Sequence, residues 1–235
     1  MKRLVIDGTK LDIDTVSRVA LDPSLNVTLA SRARKNCQKN RRVVERLLRK
    51  GTPLYGINTG FGDLARVSIP PSDLVSLQVN LIRSHAVGVG NPLEPEVVRA
   101  ALLLRANTLA RGVSGVRPEL IDALLALLNA NVIPVIPEKG SLGASGDLAP
   151  LAHMSLVLMG EGEAFYEGRR ISGALALKKV KLSPIGLEAK EGLALINGTP
   201  IMSAIACLAL VRARTLLKAA STVAAMSIEA LRGTD

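Results

Sequence analysis

The sequence predicts a mainly α-helical protein in which a small mixed α/β portion at the N-terminus leads into long buried helices of a helical bundle. Apolar residues recur at helical spacing through most of the 235 residues. Tryptophan is absent, and tyrosine and phenylalanine contribute two residues each. The core must therefore consist of Leu, Ile, Val and Ala, which suits close-packed helices. A hydrophobic fraction of 48% and a mean hydropathy of +0.30 indicate a folded chain.

The elements can be assigned in order along the chain. Two β-like stretches, "RLVID" and "NVTLA", flank a polar helical stretch, and residues 31–50 form an amphipathic helix that Gly51 ends as a C-cap. A β-hairpin is predicted for "EAFYEGRRIS", with its turn at Gly168. Two long loops, residues 52–71 and 132–150, are expected to be functional because loops of that length are uncommon inside a compact domain. Four further helices are predicted from the periodicity, at about residues 72–85, 96–111, 118–131 and 148–160.

The last predicted helix, residues 200–232, is apolar on nearly every face and about 45–50 Å long. Such a helix must be buried on all sides, yet the sequence stops at "RGTD" directly after it. We therefore expect the chain to be incomplete, with one domain at residues 1–199 and the start of a truncated helical-bundle domain at residues 200–235. Residues 193–211 are uncharged and long enough to suggest a membrane span, but the break from Asn197 to Pro200 favours a loop followed by a buried helix.

The charge and the cysteines indicate a soluble, cytoplasmic protein with no nucleic-acid or membrane partner. Lys and Arg number 30 against 20 Asp and Glu, and nine of the 30 cations fall in residues 31–50. Because few aromatic side chains are present on which bases could stack, these cations are interpreted as the solvated face of a helix. Cys37 and Cys207 are expected to be reduced thiols, and "MKRLVIDGTKLDI" lacks a signal-peptide core.

The stretch "EKGSLGASGDLAPLAH" carries the chemistry that is hardest to assign. Its spacing fits neither a phosphate loop nor a dinucleotide fingerprint. A nucleophile elbow fails because Asp147 stands where a glycine is needed, and His153 lies about 12 Å along the helix from Ser145. Two interpretations stay open: a glycine loop whose Ser145 or Asp147 caps the following helix, and a loop that modifies itself.

In the second interpretation the amide nitrogen of Gly146 attacks the carbonyl carbon of Ala144. Glycine suits the attacking position because it lacks a Cβ and tolerates strained dihedral angles. Loss of one water closes a five-membered imidazolone ring, and loss of the Ser145 hydroxyl as a second water leaves an exocyclic methylidene group. The product, 4-methylidene-imidazol-5-one, is a strong electrophile that no unmodified side chain supplies, and no metal or nucleotide is expected beside it.

Four segments together resemble the aromatic amino-acid ammonia-lyase family. "GSLGASGDLAPLAH" is similar to its cofactor-forming loop, and three more motifs follow the family's order: "YGINTGFG" with its catalytic tyrosine, "NLIRSHAVGVG" with its substrate selectivity, and "EGLALINGTP" with its asparagine. The match covers about the N-terminal half of a family chain. It implies an ammonia-lyase/aspartase-like helical fold, a cofactor-bearing domain at residues 1–199, and a homotetramer or an assembly with a chain that supplies the missing half.

The resemblance also implies roles for individual residues. Ser84-His85 resembles the histidine enzymes, so the expected reaction converts L-histidine into trans-urocanate and ammonia. Tyr55 is expected to act as the base, which requires neighbouring donors or positive charge to lower a phenol pKa that is ordinarily near 10. Asn197 is expected to bind the substrate and orient the cofactor, and Asp147 to assist ring closure. Phe61 and His153 are expected only to pack. The alternatives are an inactive N-terminal piece and a phenylalanine- or tyrosine-specific lyase or aminomutase.

Overall fold

The computed structural model describes residues 3–143 and 146–234. Most of the described chain is helical, as the sequence predicts. The α-helices are α1 Ile13–Leu21, α2 Ser31–Lys50, α3 Leu74–His85, α4 Pro95–Ala110, α5 Pro118–Asn129, α6 Leu148–Leu158, α7 Gly173–Lys179, α8 Glu191–Ile196 and α9 Pro200–Ala230. The strands are β1 Arg3–Ile6, β2 Asn26–Leu29, β3 Val89–Pro92, β4 Ile133–Pro134, β5 Pro137–Lys139, β6 Glu163–Tyr166 and β7 Arg169–Ser172.

The N-terminal portion is the small mixed unit that the sequence predicts. Strands β1 and β2 pair in parallel, and α1 connects them. The Asp12 side chain caps α1 by accepting a hydrogen bond from the Thr15 amide at 2.7 Å. Helix α2 has the predicted bounds, and Gly51 ends it with a φ of 70°, a left-handed conformation that glycine adopts without a Cβ penalty.

The core lies around α4 and α5. Helix α4 packs against α1, α5 and α9, while α3 packs against α6 and α8. The largest fully buried side chains of this core are aliphatic or Met, so the expectation from the composition is confirmed: Ile82, Leu102, Leu103, Leu109, Leu120, Ile121, Leu124, Leu127, Leu128, Ile136, Leu151 and Met154. This packed helical core thus supports the loops that carry the predicted site.

Two small antiparallel sheets interrupt the helices. Strands β6 and β7 form the predicted hairpin, and β4 adds to its edge. Strands β3 and β5 pair with each other. Neither β3 nor the strands inside residues 132–150 were evident from local pattern, because each pairs with a segment distant in sequence. The second predicted loop is therefore partly strand, since β4 and β5 lie within it, and its last residues begin α6.

Helix α9 is buried only at its beginning. Its buried residues are Pro200, Ile201, Ala204 and Leu208, and the side chains of residues 212–230 are exposed. The expectation of burial on all sides is thus not met within the described chain. The helical run Glu191–Ala230 is long and apolar enough to cross a membrane by length and composition alone. It breaks at residues 197–199, as the sequence predicts, where α8 ends and α9 begins.

Candidate active site

Two adjoining cavities bring most of the predicted site residues together. The first has a volume of about 280 Å³ and is lined by Ser84, His85 and Gly146, among others. The second has a volume of about 230 Å³, and its lining includes Tyr55, His85 and Asn197. His85 and Leu148 belong to both linings. Four motifs that are far apart in sequence therefore converge around the side chain of His85.

The glycine loop, defined as residues 138–147, ends at a fully buried carboxylate. Asp147 accepts hydrogen bonds from the amides of Ile201 and Met202 at 2.9 and 3.0 Å, and from the Ser141 hydroxyl at 2.7 Å. These amides belong to the first turn of α9, where unpaired N–H groups and the helix dipole favour a negative charge. The expectation that Asp147 caps the helix directly after it is wrong, because its side chain makes no capping bond to α6. It caps α9 and so joins the glycine loop to the first turn of that helix.

Gly146 is in close contact with Gly198. The Asp147 amide donates to the Gly198 carbonyl oxygen at 2.7 Å, and a Cβ added to Gly146 would lie only 2.3 Å from that oxygen. The φ of Gly146 is +105°, a conformation that side chains disfavour. Only glycine fits here on both counts. Ala144 and Ser145, the other two residues of the predicted cofactor, lie outside the described residues.

Gly146, the described residue of the predicted cofactor tripeptide, fits the methylidene-imidazolone. The ring requires a glycine at its third position, and Gly146 occupies a cradle that a Cβ would overfill. Asp147 and the Gly198 carbonyl oxygen fix the backbone directly after it. The methylidene-imidazolone would accordingly be held by Asp147 and Gly198 on one side. Ser84 and His85 are in the lining of the adjoining cavity.

The imidazole of His85 has a defined hydrogen-bonding state. Its Nδ1 lies 2.8 Å from the Leu81 carbonyl oxygen. Since a carbonyl oxygen only accepts, Nδ1 must be the donor of this contact, and in the corresponding Nδ1–H tautomer Nε2 can accept a hydrogen bond. The Ser84 hydroxyl lies 3.2 Å from the same Nδ1 and 3.1 Å from the same carbonyl oxygen. A ligand that offers an N–H group to His85 would match this tautomer.

His153 does more than pack. Its Nε2 accepts a hydrogen bond from the Gly88 amide at 3.0 Å, and burial lowers the pKa of His153 below its ordinary value. A Cβ added to Gly140 would meet the Gly88 Cα at 3.2 Å. Residues 80–90, which we call the selectivity segment, are therefore fixed to both the glycine loop and α6. Only the helical position of His153 was visible in the sequence, and the contact itself depends on the tertiary fold.

The tyrosine loop, residues 52–71, places Tyr55 at the open edge of the second cavity. The Asn58 side chain accepts from the Leu54 amide at 2.7 Å and donates to the Thr52 carbonyl oxygen at 3.0 Å, which braces the backbone on both sides of Tyr55. The Tyr55 ring meets Phe61 edge to face at 6.2 Å, so Phe61 packs as expected. Tyr55 is 60% exposed, and within the described residues nothing donates a hydrogen bond to its hydroxyl.

The helix that leads to Asn197 is anchored at both ends. At its start, the Gln78 side chain accepts from the Gly192 amide at 2.9 Å, and the buried Glu191 pairs with Arg117 at 2.6 Å. At its end, the guanidinium of Arg105 donates to the Asn197 carbonyl oxygen at 3.1 Å. None of these anchors was identified from the sequence, because each joins elements that are distant along the chain.

Comparisons with known proteins identify the family of the chain. Residues 11–235 match the family model described as aromatic amino acid lyase. A histidine ammonia-lyase of Caldanaerobacter subterraneus subsp. tengcongensis is 52% identical over 233 residues, which cover 99% of this chain and 46% of that relative. The chain thus spans about half the length of the curated relatives that it matches.

Solved structures show the same fold. A histidine ammonia-lyase from Trypanosoma cruzi superposes with a TM-score of 0.92 at 40% identity, over 99% of this chain and 44% of that one. A tyrosine aminomutase from Streptomyces globisporus superposes with a TM-score of 0.92 at 39% identity, over 98% of this chain and 43% of that one. The mainly helical class and the family resemblance that the sequence predicts are therefore confirmed, and this chain belongs to the aromatic amino acid lyase family.

Proposed function

We propose that the complete protein eliminates ammonia from L-histidine to give trans-urocanate. The observation that carries this proposal is the position of His85. Its side chain lines both the cavity of Tyr55 and Asn197 and the cavity of Gly146. The acceptor Nε2 of this ring suits a substrate imidazole, whose N–H group can donate to it.

Overall likeness to solved structures does not select the substrate. The histidine ammonia-lyase and the tyrosine aminomutase superpose equally well on this chain. The substrate is proposed instead from Ser84-His85 and from the curated histidine ammonia-lyases at about half identity. A tyrosine- or phenylalanine-specific lyase or aminomutase is the second candidate, since a tyrosine aminomutase superposes on this chain as well as the histidine ammonia-lyase does.

In the proposed mechanism the chain's own residues bind, orient and move a proton. The methylidene-imidazolone formed from Ala144, Ser145 and Gly146 supplies an electrophile toward the substrate amine. Asn197 binds the amine or carboxylate, and His85 orients the imidazole so that the β-carbon faces Tyr55. Tyr55 removes the β-proton as its phenolate.

Asp147 has a supporting role in this proposal. Its carboxylate is bonded to three donors, so it positions the backbone that must bend for ring closure. We propose that it assists cyclisation through this anchoring and through its charge beside the reacting amide. It is therefore a positioning residue for the proposed reaction.

We further propose a cytoplasmic homotetramer, or an assembly with a chain that supplies the C-terminal half. The exposed apolar side chains of the outer part of α9 support this proposal, among them Leu216, Leu217, Val223 and Met226. The division at residues 199 and 200 stays a prediction that the break before α9 supports.

The test is a direct assay of substrate and product. The complete protein is mixed with L-histidine, L-tyrosine or L-phenylalanine, and urocanate or the corresponding arylacrylate is followed by its absorbance. Urocanate from histidine alone supports the proposal. Turnover of tyrosine or phenylalanine without histidine would favour the second candidate, and a protein that cyclises its peptide yet turns over none of the three would contradict both.

A further inference from the structure

Helix α4 buries two arginines that have different hydrogen-bonding environments. Arg99 donates to four carbonyl oxygens, of Val19, Ala20, Asp22 and Leu128, and to the Asn131 side chain. Arg105 is 2% exposed and, within residues 3–143 and 146–234, donates only to the carbonyl oxygens of Ala194 and Asn197. Its Nε has no hydrogen-bond partner among the described residues.

Burial of the Arg105 guanidinium carries a large desolvation cost. Desolvation lowers the pKa of its guanidinium to about 10, and no carboxylate pairs with it within the described part of the chain. What compensates the charge is the end of α8, because the last carbonyl groups of a helix lack partners and carry the negative end of its dipole. Arg105 thus caps the short helix that leads to Asn197.

The residues beyond that cap lie between Arg105 and the glycine loop. A Cβ added to Gly198 would lie 2.3 Å from Nη1 of Arg105. On the other side, the carbonyl oxygen of Gly198 accepts the hydrogen bond of the Asp147 amide at 2.7 Å and contacts Gly146. The turn formed by Asn197 and Gly198, called the Asn197-Gly198 turn below, lies between the buried guanidinium of Arg105 and Gly146.

We propose that Arg105 is a positioning residue, which fixes the Asn197-Gly198 turn so that Asn197 stays in the lining of the Tyr55 cavity and Gly198 stays against Gly146. The inference rests on the proposed function, because it assigns Arg105 a part in substrate binding and in ring closure. It assigns no chemistry to the guanidinium itself, whose hydrogen bonds to described residues go to backbone carbonyl oxygens.

The test compares substitutions of the two arginines in the complete protein. Arg105→Gln removes the charge and one donor group. Arg105→Lys keeps the charge but can reach only one of the two carbonyl oxygens. Arg99→Gln is the matched control, since it also removes a buried arginine from α4. Arg99 caps α1, and none of its hydrogen-bond partners lines either site cavity.

Three readouts are taken for each variant: the fraction of the Gly146-containing peptide that has lost two waters, kcat and KM per cyclised site, and amide hydrogen exchange at Asp147. Arg105→Gln is expected to lower kcat/KM by about 20-fold or more, chiefly by raising KM. Arg105→Lys is expected to recover part of that loss but to stay at least about fivefold below the native protein. Arg99→Gln lowers stability and leaves kcat/KM per cyclised site within about threefold.

A kcat/KM for Arg105→Gln within about fivefold of the native value, or an equal loss in Arg99→Gln, would overturn the inference. If Arg105→Gln does not fold, Arg105→Lys decides by the same fivefold limit. If the native protein neither cyclises nor turns over histidine, the proposed function fails, and hydrogen exchange still tests whether Arg105 fixes the Asn197-Gly198 turn. Exchange at the Asp147 amide must then be faster in the Arg105 variants than in the native protein, and unchanged in Arg99→Gln. Equal exchange rates in the three variants would contradict the positioning role of Arg105.

Discussion

Replacing Asp147 by alanine tests the link between the glycine loop and α9. The substitution removes an acceptor that three groups share: the Ile201 amide at 2.9 Å, the Met202 amide at 3.0 Å and the Ser141 hydroxyl at 2.7 Å. Asp147 is 0% exposed, so water does not easily take its place. Asp147→Asn is milder, because its amide oxygen can still accept from α9 while its amide nitrogen donates to Ser141.

The magnitude follows from the number and burial of these bonds. Loss of a helix N-cap costs about 0.5–2 kcal/mol, and a buried donor left without a partner costs about 1–3 kcal/mol more. The bond to Ile201 is buried and the bond to Met202 is partly buried, so one full penalty applies. Asp147→Ala is expected to lower the free energy of unfolding by about 1.5–5 kcal/mol. Asp147→Asn loses mainly the charge at the helix end, about 0.3–2 kcal/mol.

The assay is urea unfolding at pH 7, combined with the mass of the Gly146-containing peptide. Asp12→Ala is the control, since Asp12 caps α1 through one exposed bond to Thr15 and is expected to cost about 0.5–1 kcal/mol. Asp147→Ala should also reduce the cyclised fraction, which Asp12→Ala leaves unchanged. An Asp147→Ala protein that is as stable as Asp12→Ala, with full cyclisation, would refute the anchoring role of the carboxylate.

Three further predictions concern the same site. Gly146→Ala should leave the peptide at its unmodified mass, because the new Cβ would meet the Gly198 carbonyl oxygen; a two-water loss in this variant would contradict the close contact. Burial lowers the pKa of His153 in the folded state, so the unfolded state binds more protons just below the ordinary pKa of about 6.5. The stability that this group contributes is therefore complete above that pH and declines as the pH falls toward the folded pKa. The decline should vanish in His153→Gln. A variant whose free energy of unfolding has the same pH dependence as that of the native protein would contradict this prediction. His85→Leu should lower kcat/KM for histidine by about 100-fold or more relative to that for phenylalanine, and equal losses for both substrates would remove His85 from selectivity.

Much of the fold follows from local sequence pattern. The bounds of α2, the hairpin of β6 and β7 and the break before Pro200 are where periodicity, Gly51, Gly168 and the Asn-Gly-Thr-Pro run place them. Strands β3, β4 and β5 are short, and their partners lie far away in sequence. No local pattern marks them, since these stretches become strands by pairing with segments that are distant in sequence.

The site divides in the same way. Tyr55, His85, Gly146 and Asn197 lie in motifs whose residue types carry chemistry, and the structure brings them to adjoining cavities. The residues that hold them were not identified. Arg105 looks like one more cation on a helix, and its role depends on a contact with Asn197 made 92 positions away. Such supporting contacts depend on packing between elements, which periodicity does not encode.

The most direct measurement is the mass of the peptide that contains residues 140–153, taken from the complete protein after proteolysis. If Ala144, Ser145 and Gly146 form the methylidene-imidazolone, this peptide is lighter than its sequence by the mass of two waters. A peptide with the unmodified mass would contradict the cofactor on which the proposed elimination depends.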